Sequence, residues 1–216
     1  MIEALAGTGL AAAAGLNAYI PLLALGLLAR FTDVIGLPSG WAWLENEWVL
    51  VVLGVLFLIE VVADKVPALD TVNDVVQTVV RPAAGGIVFG SGTAAQTPAI
   101  RDPGEFFASG SWVPIVGGIV VALLVHLAKA ATRAVANTAS AGVAAPVLSV
   151  AEDVASVALV VAAILLPALV LLALAGLVVG AVLLVRQARR RAERRRRTLA
   201  LPQVRAAHDS RPGGDS

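Results

Sequence analysis

The chain of 216 residues contains no cysteine and only two histidines, His126 and His208. Without cysteine it cannot form a disulfide, a thiolate nucleophile, an iron–sulfur cluster or a cysteine-ligated zinc site. Charged residues are also scarce, because they make up 14% of the chain against about 25% in an average soluble domain. These shortages argue against a soluble enzyme.

Apolar residues, in contrast, make up 58% of the chain and give it a mean hydropathy of +0.86. An ordinary soluble domain has roughly 45–50% apolar residues. Several apolar runs approach or exceed the roughly 20 residues that a helix needs to cross a bilayer. The sequence therefore predicts an all-α, polytopic integral membrane protein.

The apolar runs predict about five transmembrane helices, at residues 4–29, 48–63, 82–95, from 113 onward and 154–185. An amphipathic segment, residues 70–81, precedes the third of them, which Pro82 starts or kinks. The connectors 31–47 and 96–112 carry tryptophans that are typical of a membrane surface. The last span is longer than the bilayer core requires, so tilt, a re-entrant start or a kink at Pro167 must absorb the excess.

The charge of the chain is divided unevenly. Residues 1–185 hold 6 basic and 12 acidic side chains, whereas residues 186–216 hold 10 and 3. We therefore divide the chain into a helical transmembrane domain, 1–185, and an arginine-rich juxtamembrane segment with a disordered tail, 186–216. The positive-inside rule places the tail in the cytoplasm, where eight arginines face anionic lipid headgroups rather than nucleic acid: Arg186, Arg189, Arg190, Arg191, Arg194, Arg195, Arg196 and Arg197.

One charge signal conflicts with this orientation. Five crossings would place both tryptophan connectors on the cytoplasmic side, yet these connectors, counted from Arg30 and from Gln96, hold 2 basic and 5 acidic residues. A sixth segment within the long last span would reconcile the tail with the connectors. The sequence leaves the span count and the side of the N-terminus open.

Ionisable side chains inside the apolar runs mark the candidate site. Counted from the tryptophan side, a rise of about 1.5 Å per residue places Glu60 about 18 Å and His126 about 20 Å deep. The same arithmetic places Asp64 and Lys129 both about 24 Å deep. We therefore predict an ion pair between Asp64 and Lys129.

A charge near the middle of a bilayer costs at least about 2.5 to 3.5 kcal/mol, so such residues are functional candidates. The predicted ligand or ion pathway is a polar funnel made of Asn17, Glu60, Asp64, Lys65, Asp70, Asp74, Arg81, His126, Lys129, Arg133, Asn137, Glu152 and Asp153. The alternative is that the outer residues reach the headgroups as interfacial side chains, while Glu60 and His126 are held by one buried hydrogen bond.

The offsets 0, 3, 7 and 11 occur in two polar stripes, which are His126, Lys129, Arg133 and Asn137, and Asp70, Asn73, Gln77 and Arg81. These stripes indicate a weak internal repeat, although any polar stripe with a period of 3.6 residues can show such offsets.

Neither a metal site nor an enzyme is expected. Glu60, Asp64 and His126 would suit a metal by residue type, but Lys129 and Arg81 would repel a cation, so we predict no metal and no cofactor. No serine lies in a Gly-x-Ser-x-Gly motif, and no hydrolytic nucleophile can be identified.

Several segments of this chain are similar to those of a bacterial membrane family known as domain of unknown function 4126. The matching segments are GLNAYIP at 15–21, EVVADKVP at 60–67 with Asp70, RPAAG at 81–85, HLAKAATR at 126–133 with Asn137, and ED at 152–153. The resemblance covers about residues 3–185, and it omits the arginine-rich tail. It implies a multi-pass protein of the bacterial cytoplasmic membrane, and it implies no activity, substrate or cofactor.

Three functions agree with these observations. The leading prediction is a transporter-like or channel-like protein, in which Glu60 and Asp64 titrate or bind a cation and Lys129, Arg133 and Arg81 act as counter-charges. The second is a lipid-handling protein in which the same basic residues and His126 hold a lipid phosphate. The third is a membrane scaffold whose charges only join the helices. The bilayer is the one partner that the sequence indicates, and it leaves the oligomeric state open.

Overall fold

The computed structural model describes residues 2–65, 67–93, 108, 110–140, 142–183, 185–187 and 190, without the side chains of 67–71 and 93. Across this described part the chain forms helices and no strand, which confirms the predicted all-α class. One 3-10 helix, Ala42–Glu45, lies among the α-helices. The α-helices are α1 Ile2–Leu16, α2 Tyr19–Phe31, α3 Glu47–Ala63, α4 Pro67–Thr93, α5 Trp112–Ser140, α6 Ala145–Leu165 and α7 Leu169–Gln187.

Three of these helices, α5, α6 and α7, are long and apolar enough to cross a membrane, and α1 and α2 are shorter apolar helices. The surface of the bundle is apolar as well, with Val79 73% exposed and Leu172 69% exposed. Helix α3 shows the same pattern, since its buried residues are Leu50 and Glu60 while most of its valines and leucines are partly or fully exposed. Apolar side chains outside and charges inside are the arrangement expected of a membrane protein.

The predicted first span, 4–29, is wrong as a single helix, because the chain breaks at Asn17 and Ala18 between α1 and α2. The side-chain oxygen of Asn17 accepts hydrogen bonds from the backbone N–H groups of Tyr19 and Ile20, at 3.0 and 3.2 Å. Pro21 lies in the first turn of α2, where a missing N–H costs no intrahelical bond. Asn17 therefore caps the start of a second helix.

The predicted last span, 154–185, is also wrong as a single helix. Helix α6 begins earlier, at Ala145, and ends at Leu165, so that Glu152 and Asp153 lie inside it. Pro167 follows, and because proline restricts the residue before it and has no N–H, the helix stops there. The amide of Val170 then donates to the carbonyl of Pro167, and α7 begins.

The amphipathic segment 70–81 and the predicted third span are one helix, α4, which continues through Pro82. The prediction that Pro82 starts a separate helix is therefore wrong. Gly85 lies against the backbone of Gly118, so close that a Cβ atom would overlap the Gly118 carbonyl oxygen. This approach packs α4 tightly against α5.

The bundle has two ends, which the contacts between helices define. At the tryptophan end, Gly90 of α4 contacts Trp41 of the first connector and Ile115 near the start of α5. The opposite end, which we call the tail end, contains the turn from α3 to α4 and the turn from α5 to α6. Helices α3 and α5 therefore run away from the tryptophan end, and α4 returns to it.

Helix α1 runs from the tryptophan end into the bundle, and helix α2 runs back to the tryptophan end. Gly92, near the end of α4, faces Leu10, whereas Gly15 faces Val125 in the middle of α5. Helix α2 then returns, because Arg30 near its end donates to the carbonyl of Glu45, beside the start of α3. The break at Asn17 is the deepest point of this pair.

Helices α6 and α7 form a second hairpin. Gly9 faces Ala163 of α6 and Val170 of α7, so the turn between these helices lies toward the tryptophan end. Further along α7, Gly176 and Gly180 line the same cavity as Glu152, which places them nearer the tail end. The last helix therefore ends opposite the tryptophan connectors, as the sixth-segment alternative requires.

Candidate functional site

A largely buried charge cluster extends from the middle of the bundle, at Glu60 and Arg81, to the turn after α3, at Asp64. It consists of four carboxylates and three cations, which are Glu60, Asp64, Glu152, Asp153, Arg81, Lys129 and Arg133. Arg81 is 0% exposed and Glu60 is 1% exposed. Charges at this burial are stable only when they are paired and hydrogen-bonded.

The ion pair predicted between Asp64 and Lys129 is present, with 3.4 Å between Oδ2 and Nζ. The Lys129 ammonium also lies 3.1 Å from Oε2 of Glu152. It donates a third contact, at 2.8 Å, to the carbonyl oxygen of Leu16, the last residue of α1. A cation at the C-terminal end of a helix is favoured by the helix dipole, so Lys129 fixes α1 to the cluster.

Arg133 joins the same carboxylates from the next turn of α5. Its Nη2 atom donates to Oδ2 of Asp64 at 3.0 Å and to Oε2 of Glu152 at 2.6 Å. Asp64 follows the last residue of α3 and also accepts a bond from Asn73. Burial alone would raise the pKa of the Asp64 carboxyl, but the charges of Lys129 and Arg133 outweigh burial and hold that pKa below its usual value.

Arg81 connects Glu60 to His126. Its Nη2 atom donates to Oε1 of Glu60 at 2.8 Å, and its Nη1 atom lies 3.0 Å from Nδ1 of His126. An arginine has no acceptor, so Nδ1 of His126 must accept and the ring is neutral. The proton is then on Nε2, which lies 3.1 Å from Oγ1 of Thr78. The chain of hydrogen bonds runs from buried Glu60 to Thr78 on the outer side of α4.

Asp153 belongs to the cluster through the break between α1 and α2. The Asn17 amide donates from Nδ2 to Oδ1 of Asp153 at 2.9 Å. One turn further along α6, the hydroxyl of Ser156 donates to the carbonyl oxygen of Ala13 in α1. The cluster is therefore attached both to the end of α1 and to the start of α2.

The cluster retains unused hydrogen-bonding capacity. Among the described residues, three buried atoms of its inner part have no hydrogen-bond partner: Oε2 of Glu60, Nε of Arg81 and Oε1 of Gln77. The great majority of buried polar atoms in proteins have a hydrogen-bond partner, so atoms without one call for an explanation. A polar ligand, an ion with its water or a transient proton would use them.

Two cavities approach the cluster from opposite sides of α5. The first, of about 270 Å³, lies between α5, α6 and α7 and reaches Lys129 and Glu152. The second, of about 350 Å³, lies between α4 and α5 and reaches His126 and Arg133. The first is lined mainly by apolar side chains, and the second contains several polar ones.

Other predicted site residues lie outside the ion pairs. Asp74 and Asn137 line the second cavity, and each has one buried side-chain oxygen without a partner in the described part of the chain. Lys65 is exposed and donates to the carbonyl of Val61. The side chain of Asp70 lies outside the described residues. Of the eight tail arginines, Arg186 and Arg190 are exposed, and the others lie outside the described residues.

The sequence reasoning missed three polar residues near the cluster, Thr78, Ser149 and Ser156. The two serines are 0% exposed. Ser149, Glu152 or Asp153, and Ser156 follow a spacing of three or four residues, which places them on one face of α6. This stripe was visible in the sequence, but it became informative only once α6 was known to begin before Ser149.

The residues once considered for a metal do not converge. Glu60 contacts Arg81, and Asp64 contacts Lys129 and Arg133. Within the described ranges, no three histidine, aspartate or glutamate side chains are grouped so as to hold a metal ion.

The comparisons with known proteins identify a family. Neither the curated proteins nor the solved structures contain a match to this chain. A family model described as "Domain of unknown function (DUF4126)" matches residues 4–187, which include the whole charge cluster and the seven described α-helices except the first two residues of α1. The chain therefore belongs to the DUF4126 family.

Proposed function

We propose that this protein is a transporter-like or channel-like membrane protein, in which the charge cluster binds or conducts a small solute or ion. The observation that carries the proposal is the burial of five charged side chains, with Glu152 and Asp153 partly buried beside them, inside a bundle whose outer surface is apolar. An isolated charge at the bilayer centre costs at least about 2.5 to 3.5 kcal/mol, so such residues are retained for a function.

A purely structural role explains these charges poorly. Replacing a buried ion pair by apolar residues of similar volume is often neutral, or it stabilises a protein by about 1–4 kcal/mol. Leucine or valine would therefore join α3, α4, α5 and α6 at least as well as the charges do. The unpartnered atoms of Glu60, Arg81 and Gln77 also disagree with a network that serves only to lock helices.

The break between α1 and α2 supports the same proposal. Transporters commonly place their binding sites where a helix is interrupted, because the free carbonyl and N–H groups at the break bind ions and charged substrates. Here the carbonyl of Leu16 at the end of α1 binds the Lys129 ammonium, and Asn17 caps α2 while donating to Asp153. The break thus adjoins the charges directly.

We further propose the topology that unites the charge signals. Helices α3 to α7 cross the cytoplasmic membrane five times, and α1 with α2 forms a re-entrant pair that starts and ends outside. The arginine-rich tail is then cytoplasmic, and the tryptophan connectors, with 2 basic and 5 acidic residues, face outward. The contacts of Gly9, Gly15 and Gly92 support these directions.

Binding of a lipid phosphate is the weaker candidate. Each of the three cations, Arg81, Lys129 and Arg133, already contacts at least one carboxylate within 3.4 Å. A phosphate would have to displace a carboxylate from every cation that it bound. The ion pathway requires no such displacement.

The experiment is a measurement of current on full-length protein in liposomes of phosphatidylethanolamine and phosphatidylglycerol, adsorbed to a solid-supported membrane. Gradients of protons, sodium and potassium are applied in turn. We expect a current with at least one ion, and Glu60→Gln should lower it about tenfold or more, because an amide can neither exchange a proton nor hold a cation.

The matched control is Glu47→Gln, which removes an exposed carboxylate outside the cluster and should leave the current unchanged. No current with any of the three ions would contradict the ion pathway. A wild-type current in Glu60→Gln would separate the cluster from conduction.

A further inference from the structure

Among the side chains that the structure describes, the charge cluster has one more carboxylate than it has cations. Glu60 pairs with Arg81, while Asp64 and Glu152 share Lys129 and Arg133. Three carboxylates and three cations are thus accounted for. Asp153 is the remaining acid, and among the described residues no cation lies within 4.0 Å of it.

A neutral amide is the hydrogen-bond donor that Asp153 has instead of a cation. The orientation of the Asn17 amide is fixed, because its oxygen accepts from two backbone N–H groups and its nitrogen must therefore point the other way. This nitrogen donates to Oδ1 of Asp153. A protonated carboxyl group can accept the same bond at Oδ1 and keep its proton on the other oxygen, so proton uptake requires no change in this contact.

The groups facing Asp153 come from its own helix and from three other parts of the bundle. They are Lys129 of α5, Asp64 at the end of α3, and Glu152 of α6 itself, with the neutral Asn17 from the break. Two of these groups are acidic, and the lysine is already bound to both of them. An ionised Asp153 therefore adds an unpaired negative charge beside two others.

We propose that Asp153 is the proton-binding group of this protein and that the ion taken by the charge cluster is the proton. Protonation of Asp153 balances the seven described cluster residues, with three carboxylates against three cations. Deprotonation leaves one negative charge against Asn17, the residue that caps α2. Proton release is thereby linked to the junction of the re-entrant pair. This inference rests on the proposed function and names its ion.

The test is infrared difference spectroscopy of the full chain reconstituted in phosphatidylethanolamine and phosphatidylglycerol vesicles. Exposed carboxylates are ionised at neutral pH, since their ordinary pKa values lie near 4. We expect the wild-type protein to show the C=O band of a protonated carboxyl group at neutral pH, and this band to disappear as the pH is raised. Asp153→Asn should abolish the band.

Two matched variants serve as controls. Asp33→Asn removes an exposed aspartate in the first connector, and Glu60→Gln removes the most deeply buried carboxylate. Both should keep the band. Asp153→Glu should retain a protonated carboxyl band at a changed frequency, which distinguishes loss of the proton site from loss of the fold.

The proposal is overturned if the band is missing from the wild type, if it survives in Asp153→Asn, or if it disappears in Glu60→Gln instead. The spectrum does not depend on transport. A band that follows these expectations without any ion current would keep Asp153 as the proton site and contradict the proposed conduction. A proton current in a protein whose carboxyl band does not depend on Asp153 would support the proposed conduction and overturn the assignment of the proton site to Asp153.

Discussion

At the scale of single residues, the cluster joins charges as a network rather than as separate pairs. Lys129 contacts two carboxylates and a helix carbonyl, and Arg133 contacts the same two carboxylates. Asp64 and Glu152 therefore each contact two cations. Removing one member of such a network leaves several buried charges without compensation, whereas removing an acid and a base together preserves the balance.

This network predicts the outcome of a double-mutant cycle. Asp64→Asn should cost roughly 3 to 5 kcal/mol, because the buried cations Lys129 and Arg133 then lose a carboxylate that they share. The double variant with Lys129→Gln should recover part of that loss, since Arg133 keeps its pairing with Glu152. The measurement is the unfolding of all four proteins in one detergent.

The exposed pair of Arg30 and Glu47, 3.3 Å apart, provides the control. Neutralising Glu47 there should cost less than about 1 kcal/mol, as exposed ion pairs generally do. If Asp64→Asn and Lys129→Gln gave similarly small and additive effects, the cluster would not be a coupled network.

At the scale of elements, small residues decide where the helices touch and where they leave space. The alanines of α1 from Ala11 to Ala14 are 0% exposed, so that α4, α5 and α6 approach this helix closely. Gly176 and Gly180 of α7 behave differently, since a Cβ atom at either position would meet nothing within 4 Å. They border the cavity that reaches Lys129 and Glu152.

A side chain that fills this cavity should therefore lower the activity without lowering the stability. Gly176→Leu should leave the unfolding midpoint unchanged or raise it, because leucine is the better helix former by up to about 1 kcal/mol. The same change should reduce the ion current if the cavity is an entrance to the cluster. Unfolding and current are measured on the same preparation.

Gly9→Leu is the opposite case within the bundle. A Cβ atom at Gly9 would lie 2.7 Å from Val170 and 2.9 Å from Ala163, so this variant should be strongly destabilised. Equal stability of the two variants would mean that the space around Gly176 is not open in solution.

At the scale of the whole molecule, the two hairpins change which segments lie at the same end of the bundle, compared with the sequence prediction. The predicted first span returns to its own side as α1 and α2, and the predicted last span contains two helices instead of one. The first tryptophan connector and the end of α7 consequently lie at opposite ends of the bundle. In the topology proposed above, the acidic connectors and the arginine-rich tail both satisfy the positive-inside rule.

This topology can be tested with single cysteines, because the natural chain contains none. We expect Asp33→Cys in the first connector to react with a membrane-impermeant thiol reagent added to intact cells. Val143→Cys lies in the turn between α5 and α6, where the native side chain is 78% exposed, and it should react only after permeabilisation. Labelling of both from one side would contradict the re-entrant pair.

Much of the architecture follows from local properties of the sequence. Apolar content determines that helices form and that their outer surfaces are apolar, and the helical rise determines how deep a residue lies along its own helix. Those two facts were enough to pair Asp64 with Lys129 and to place Glu60 and His126 at nearly the same depth. The weak internal repeat and the roles of the site residues stay predictions.

The tertiary structure alone decided where the chain reverses and which residues complete the cluster. Asn17 ends α1 because its side chain finds two N–H groups and the carboxylate of Asp153, which is 136 residues away in the chain. Arg81 holds two partners on different helices, and Glu152 enters the cluster only because α6 begins before it. A lipid-like environment solvates an apolar helix equally well whether it crosses or returns, so hydropathy cannot distinguish the two. Polar contacts between distant helices make that choice, and they exist only when the bundle is assembled.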